Sequence, residues 1–266
     1  MRIPRIRGMS APRRRKRVKK KQVVIIGAGF AGLTTAALLC KKGFQVLLIE
    51  ESSAPGGRAR VMEKDGFLLE YGIHSYRYAE KSSAHKVMNE LGAEPEWLRE
   101  DYKSWLIRGK DLYPIPGGKE KLGEEFKKFF HRPEITRVRE AMEKLVAEPP
   151  EKWYRKSLKD FLGDLLKDEK VMLMIRLIGL QIMEPDPERV SAGELIVHMR
   201  RAFEAGVPAA QLKGSSKVFI DRMVSAITGS GGEIKFGCRA FALEIEKGRV
   251  KSVDLSEGEI APEVLV

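Results

Sequence analysis

The chain has 266 residues, 43 % hydrophobic and 32 % charged, an ordinary globular balance with length enough for one or two cored domains. Its net charge of +12 is concentrated in residues 1–21, which hold eleven of the 49 Lys and Arg and no acid; the rest sets 38 basic against 37 acidic residues, a net +1. That near-neutral body argues against nucleic acid as the partner. No apolar run reaches the roughly 18 residues of a membrane span, and two cysteines without a CxxC pair exclude a disulfide framework and leave a dithiol redox centre unsupported.

Residues 1–21 are expected to be a disordered basic arm. It lacks the apolar core of a secretory signal, and peripheral contact with an acidic membrane surface is a minor option for it. Gln22–Ile26 is a short β-branched run, expected as a buried parallel strand. Gly27 to Gly32 forms a turn, Leu33–Lys42 a helix closed by Gly43, and Gln45–Ile49 a second strand ending at Glu50. Residues 51–80 read as loop and short strands. Apolar residues then recur at helical spacing in 83–91, 120–130, 134–147, 158–167, 169–183 and 192–205, with a strand pair near 104–113. Beyond them come a helix at 217–228, a glycine turn at 229–232 and a strand at 233–236. Strands at 241–246, 249–255 and near Val264 suggest a meander turning at Lys247-Gly248.

Gly27-Ala28-Gly29-Phe30-Ala31-Gly32 is a GxGxxG placed between a strand and a helix, with an acid, Glu50, eighteen residues past Gly32. That context is what a dinucleotide fingerprint requires. Gly27 allows the tight turn, Gly29 lets backbone approach a pyrophosphate, and Gly32 lets the helix pack close to the strand. The helix N-terminus supplies N–H donors to the phosphates, and Glu50 would accept from ribose hydroxyls. GxGxxG does not separate FAD from NAD. Gly56-Gly57-Arg58, six residues after Glu50, is an extra element: paired glycines free the backbone and Arg58 brings a charged fork to a phosphate site.

The fingerprint, the GGRAR of residues 56–60 and the stretch Gly66-Phe67-Leu68-Leu69-Glu70-Tyr71-Gly72-Ile73-His74 resemble the N-terminal third of the flavin amine oxidase superfamily. Carotenoid desaturases, protoporphyrinogen oxidases and monoamine oxidases share this pattern, and the 66–74 stretch leans toward the phytoene-desaturase-like branch. The resemblance implies an α/β fold: a Rossmann-type FAD/NAD(P)-binding domain (22–80 and 206–266) with an inserted, mainly helical substrate domain (81–205). It implies FAD contacts from Gly27, Ala28, Gly29, Phe30, Ala31, Gly32, Glu50, Glu51, Gly56, Gly57, Arg58, Gly72 and Ala240. Gly72 would bring backbone near the flavin ring and Ala240 would meet the adenine end. The chain departs from the family at Gln211-Leu212-Lys213-Gly214, where Pro-x-Gly-Gly is usual, and it lacks the family's Gly-rich C-terminal FAD motif. A second chain supplying that motif is one expected partner.

The other chemistry-bearing residues are weighed against plainer roles. His74 stands equally between a place near flavin or substrate and a loop histidine fixing Gly72. His85, His131 and His198 are expected to be surface or satisfied residues, and Cys40 to be core. Trp97, Trp105, Trp153, Met172, Met174 and Met183 could line an apolar cavity but are more often core. No metal cluster, no hydrolase motif and no catalytic acid–base pair is visible. The expected activity is FAD-dependent dehydrogenation of an apolar, carotenoid-like small molecule by hydride transfer to the flavin. The alternatives are an amine or protoporphyrinogen oxidase, or a split subunit that binds FAD without activity alone. The expected location is cytoplasmic.

Overall fold

A computed structural model describes residues 21–98, 104–108, 110–115, 132–182, 184–206 and 209–266. Most of the basic arm, the expected helix at 120–130, His131 and Met183 lie outside the described residues. The chain divides into two compact units. The first takes the chain up to Tyr76 with Ser82–Glu96 and Gln211–Val266; the second takes Arg77–Lys81 and Trp97–Ala210. These divisions differ from the expected ones, since residues 82–96 lie with the first unit, and residues 77–80 and 206–210 with the second.

The first unit opens with β1 (Lys21–Ile26), α1 (Phe30–Lys41) and β2 (Val46–Ile49). Helix α1 starts three residues earlier than expected, which puts Gly32 inside its first turn. Strand β2 is buried along its whole length, as a parallel strand covered on both faces must be. A hairpin of β3 (Val61–Lys64) and β4 (Phe67–Glu70) follows, then β5 (Tyr76–Arg77) and α2 (Ser83–Glu90).

The chain then passes β6 (Trp97–Leu98) and the hairpin β7 (Ser104–Arg108) and β8 (Asp111–Ile115). The helices of the second unit are α3 (Arg132–Ala147), α4 (Leu158–Leu162), α5 (Glu169–Ile182) and α6 (Ala192–Ala205). The expected helix at 158–167 breaks at Gly163, whose φ of +51° leaves the helical region, and continues as a 3₁₀ turn. Val138, Leu145, Leu158, Val171, Met174, Leu195 and Ile196 belong to the core of this unit, with Met172 and Trp153 packed against it. Trp153, Met172 and Met174 are thus part of the packing of this core.

After β9 (Ala209–Leu212) the chain forms α7 (Lys217–Gly229), β10 (Glu233–Lys235), β11 (Ala240–Glu246), β12 (Arg249–Leu255), β13 (Gly258–Ile260) and β14 (Pro262–Leu265). The parallel sheet has the order β10-β2-β1-β14, built outward from β1 in both directions. The meander is β11-β12-β13, so the strand near Val264 is not part of it. Pro262 removes a ladder donor at the break, and Val264 and Leu265 instead align with Val23 and Val24 of β1. Val24, Leu47 and Ile49 of the sheet share a core with Val253, Leu255 and Ile260 of the meander and with Cys238. Cys40 is buried on α1, as expected.

Candidate functional site

The candidate site lies at the carboxyl ends of β1 and β2. Gly27 turns the chain out of β1 with φ +98° and donates its N–H to Ile49 carbonyl oxygen at 2.7 Å. Gly29 caps α1 with its backbone alone. No side chain bonds the helix start, and the first turn carries no acid. The first helical bond runs from Leu33 N–H to Gly29 carbonyl, so the amides between them keep the orphan donors of a helix N-terminus.

The three glycines differ in what surrounds them. A Cβ on Gly32 would lie 1.9 Å from the Gly27 carbonyl oxygen, so only glycine allows α1 to sit on the turn. A Cβ on Gly29 would meet nothing within 4 Å, which leaves space where backbone faces outward. Phe30 packs against Tyr76 and Phe219, Ala28 is buried, and Ala31 is exposed.

The structure brings the second glycine motif onto the first. Gly56 N–H donates to Ala28 carbonyl at 2.7 Å, and Gly56 bridges to Gly29. A Cβ on Gly57 would stand 3.3 Å from Gly29 Cα. Arg58 is exposed, with no hydrogen bond or ion pair to any described residue, on the short turn that follows. Gly72 sits against the backbone of Arg58: its Cβ would lie 2.7 Å from the Arg58 carbonyl oxygen. Its visible role is close packing beneath Arg58.

Glu50 is 9 % exposed and bonded at both carboxylate oxygens, Oε2 to Ala28 N–H at 2.6 Å and Oε1 to Ser52 N–H at 2.8 Å. Burial pushes its carboxyl up. The amide donors of Ser52 and Ala28, with the Ser52 hydroxyl and the Arg60 charge, outweigh that and hold it below the usual glutamate range. Its backbone is fixed as well, with N–H to Lys235 carbonyl at 2.8 Å and carbonyl from Cys238 N–H at 2.9 Å. With three donors on its four lone pairs, the carboxylate retains one for a further hydroxyl donor. Ala240 follows this segment as the first residue of β11. Glu51 is exposed and pairs with Arg239 at 3.5 Å.

His74 Nδ1 lies 3.0 Å from Gly72 carbonyl, a bond the ring must donate, so the histidine fixes Gly72. One arrangement was not legible in the sequence. Ser216, fully buried before α7, donates its N–H to Glu70 Oε1 at 2.8 Å. Its hydroxyl oxygen lies 2.8 Å from the same Oε1 and 2.9 Å from Ile73 carbonyl, and accepts from Tyr76 at 2.8 Å. Burial pushes the Tyr76 phenol up to about 12, against the Ser216 bond and with the Glu70 charge. This network ties the loop after β4 to the start of α7. Its partners stand about 140 residues apart in sequence, so no local pattern announces them. Among the described residues no group of His, Cys, Asp and Glu could hold a metal.

Residues 25–91 match the family of NAD(P)-binding Rossmann-like domains. The coproporphyrinogen III oxidase of Staphylococcus aureus is 35 % identical over 101 residues, 37 % of this chain and 22 % of that protein. The chain carries a Rossmann-like domain and is similar to oxidases and desaturases of the amine oxidase and FAD-dependent oxidoreductase superfamily. The phytoene desaturase of Fusarium fujikuroi is 43 % identical over 53 residues, 20 % of this chain and 9 % of that protein. An oxidoreductase from Methanosarcina mazei shares the fold, with a TM-score of 0.73 and 19 % identity over 93 % of this chain and 58 % of its own. The chain thus spans well under two thirds of the relatives it matches. No described helix is long and apolar enough to cross a membrane.

Proposed function

We propose that this chain binds FAD and serves the dehydrogenation of an apolar, carotenoid-like small molecule. The observation that carries the cofactor assignment is the apposition of Gly57 on Gly29 beside the uncapped start of α1. A fingerprint loop alone suits any dinucleotide. The second glycine turn adds an exposed guanidinium, Arg58, at the same place. The residues fit the group: open space at Gly29, free helix N–H donors, and an ionised Glu50 with capacity for a further hydroxyl donor.

FAD held there would supply a two-electron acceptor for a hydride from the substrate. The chain's own work is then binding and orientation. Gly29 and α1 take the pyrophosphate, Glu50 takes the ribose, and Arg58 adds positive charge. Gly27, Ala28, Phe30, Ala31, Gly32, Glu51, Gly56, Gly72 and Ala240 complete the proposed set, several of them by shaping the loops. The substrate class follows the match to phytoene desaturase. The longer match to coproporphyrinogen oxidase favours a porphyrinogen as the second reading.

The test is the visible spectrum of the purified chain, with and without added FAD, after desalting. Retained oxidised-flavin bands are expected. A colourless protein, or one that takes up NAD and not FAD, overturns the FAD assignment.

A further inference from the structure

The second unit contains a cluster unrelated to the dinucleotide loop. Arg77, Tyr78, Glu194, Val197, His198 and Arg201 line a small open cavity between the 77–81 turn and α6. We propose that this cavity is a binding site for a single carboxylate group of a small molecule.

The hydrogen bonds fix the chemistry of the cluster. Arg77 Nη1 stands 3.0 Å from His198 Nε2. A guanidinium only donates, so Nε2 accepts and the ring proton sits on Nδ1. Nδ1 lies 2.5 Å from the Tyr78 hydroxyl, which therefore accepts from the ring and keeps its own proton. That proton's other neighbour is the His198 carbonyl, at a long 3.4 Å. The cluster thus presents guanidinium N–H donors and an O–H donor engaged only by the long bond to the His198 carbonyl, while the carboxylate that lines the cavity, Glu194, pairs with neither arginine.

The charges point the same way. Burial, with the Arg77 charge, holds the His198 ring down to about 4, so it is neutral at physiological pH. Arg77 and Arg201 both remain cationic, and the Arg201 charge is felt at Tyr78. Neither arginine has a carboxylate within ion-pair distance among the described residues. Arg137, Arg139 and Arg189 of the same unit each have one. Glu194 lines the cavity but pairs with neither arginine, which leaves a net charge of +1. One positive charge with planar forks suits a carboxylate monoanion better than a dianion.

The turn is held for this geometry. Tyr78 and Ala79 adopt φ of +65° and +41°, Ala79 is fully buried, and Lys81 bonds the Glu204 carbonyl at the end of α6.

The chain contains four histidines, so ¹⁵N-histidine NMR can follow His198 in the full-length protein. Sodium acetate is titrated at constant ionic strength against chloride, with phosphate dianion as a second probe. A saturable shift of the His198 nitrogens with acetate, weaker with phosphate, is expected. R201Q should weaken it roughly tenfold or more, and R189Q should leave it unchanged. Because Arg201 is exposed, R201Q tests the site without risk to the core. No acetate shift, an equal shift with chloride, or an unchanged affinity in R201Q overturns the site. Tighter binding of phosphate overturns the choice of a monoanion.

Discussion

Replacing Gly32 by alanine and, separately, Gly29 by alanine separates packing from ligand approach within one motif. At Gly32 the added Cβ falls 1.9 Å from the Gly27 carbonyl oxygen and 3.1 Å from its carbon. Carbon contacts are comfortable near 3.5 Å, so the turn and α1 must separate by more than about 1 Å. Both sides are backbone, held by the bond from Gly27 N–H to Ile49 and by the helix itself. Overpacking costs about 1–3 kcal/mol where side chains can yield; with rigid backbone on both sides we expect about 3 kcal/mol or more. At Gly29 the Cβ meets nothing within 4 Å, and φ is an ordinary −72°. The loss of a glycine cap then costs at most about 1 kcal/mol, offset in part by a stiffer unfolded chain. Urea unfolding followed by circular dichroism measures both. Desalting after FAD addition measures cofactor retention, which both variants should lose. Equal stability of the two variants, or FAD retention by G29A matching the parent, would refute the reasoning.

Two further outcomes follow from the buried polar groups. S216A removes the bond from the Tyr76 hydroxyl to Ser216 and one donor from Glu70, at about 1–3 kcal/mol; combined with Y76F the losses should be less than additive, and additivity in a double-mutant cycle would dismiss the network. Glu50 has a carboxyl held below its ordinary 4.5. Its bonds to Ala28 and Ser52 therefore contribute fully above about pH 4.5 and are lost as pH falls through the lower folded value. E50Q should lower stability at neutral pH and flatten this acid limb of the stability–pH curve; an unchanged limb would show that another carboxylate is responsible.

Strand, glycine turn, helix and strand from Gln22 to Glu50 were legible because each element carries a local signal: a β-branched run, a glycine spacing, an apolar face, a terminal acid. The GGR motif was legible as a motif, and its contact with Gly29 came only with the fold. The meander was misread at its end. Val264 has the same alternation whether it pairs with β13 or with β1, and sequence alone carries no partner. The Ser216 network and the Arg77–His198–Tyr78 cluster were missed because each joins side chains more than a hundred residues apart. His198 looked like an ordinary helix residue, and its role depends on a turn whose left-handed residues, Tyr78 and Ala79, are not types that favour that conformation.

The strand order has a consequence for how the protein is made. β1 and β2 leave the ribosome before their outer partners, β14 and β10, which lie roughly 200 residues downstream. At about 5–20 residues per second, the nascent β1-α1-β2 unit waits ten seconds or more with both sheet edges open. Pairing β1 with β14 closes one of the longest loops in the chain, which places it late in folding. Until then Val23–Ile26 and Val46–Ile49 are apolar edge strands of the kind that associate between chains. Recovery of folded protein should therefore fall as synthesis is slowed or as nascent chains are crowded together, for a reason that lies in topology and not in the stability of the finished sheet.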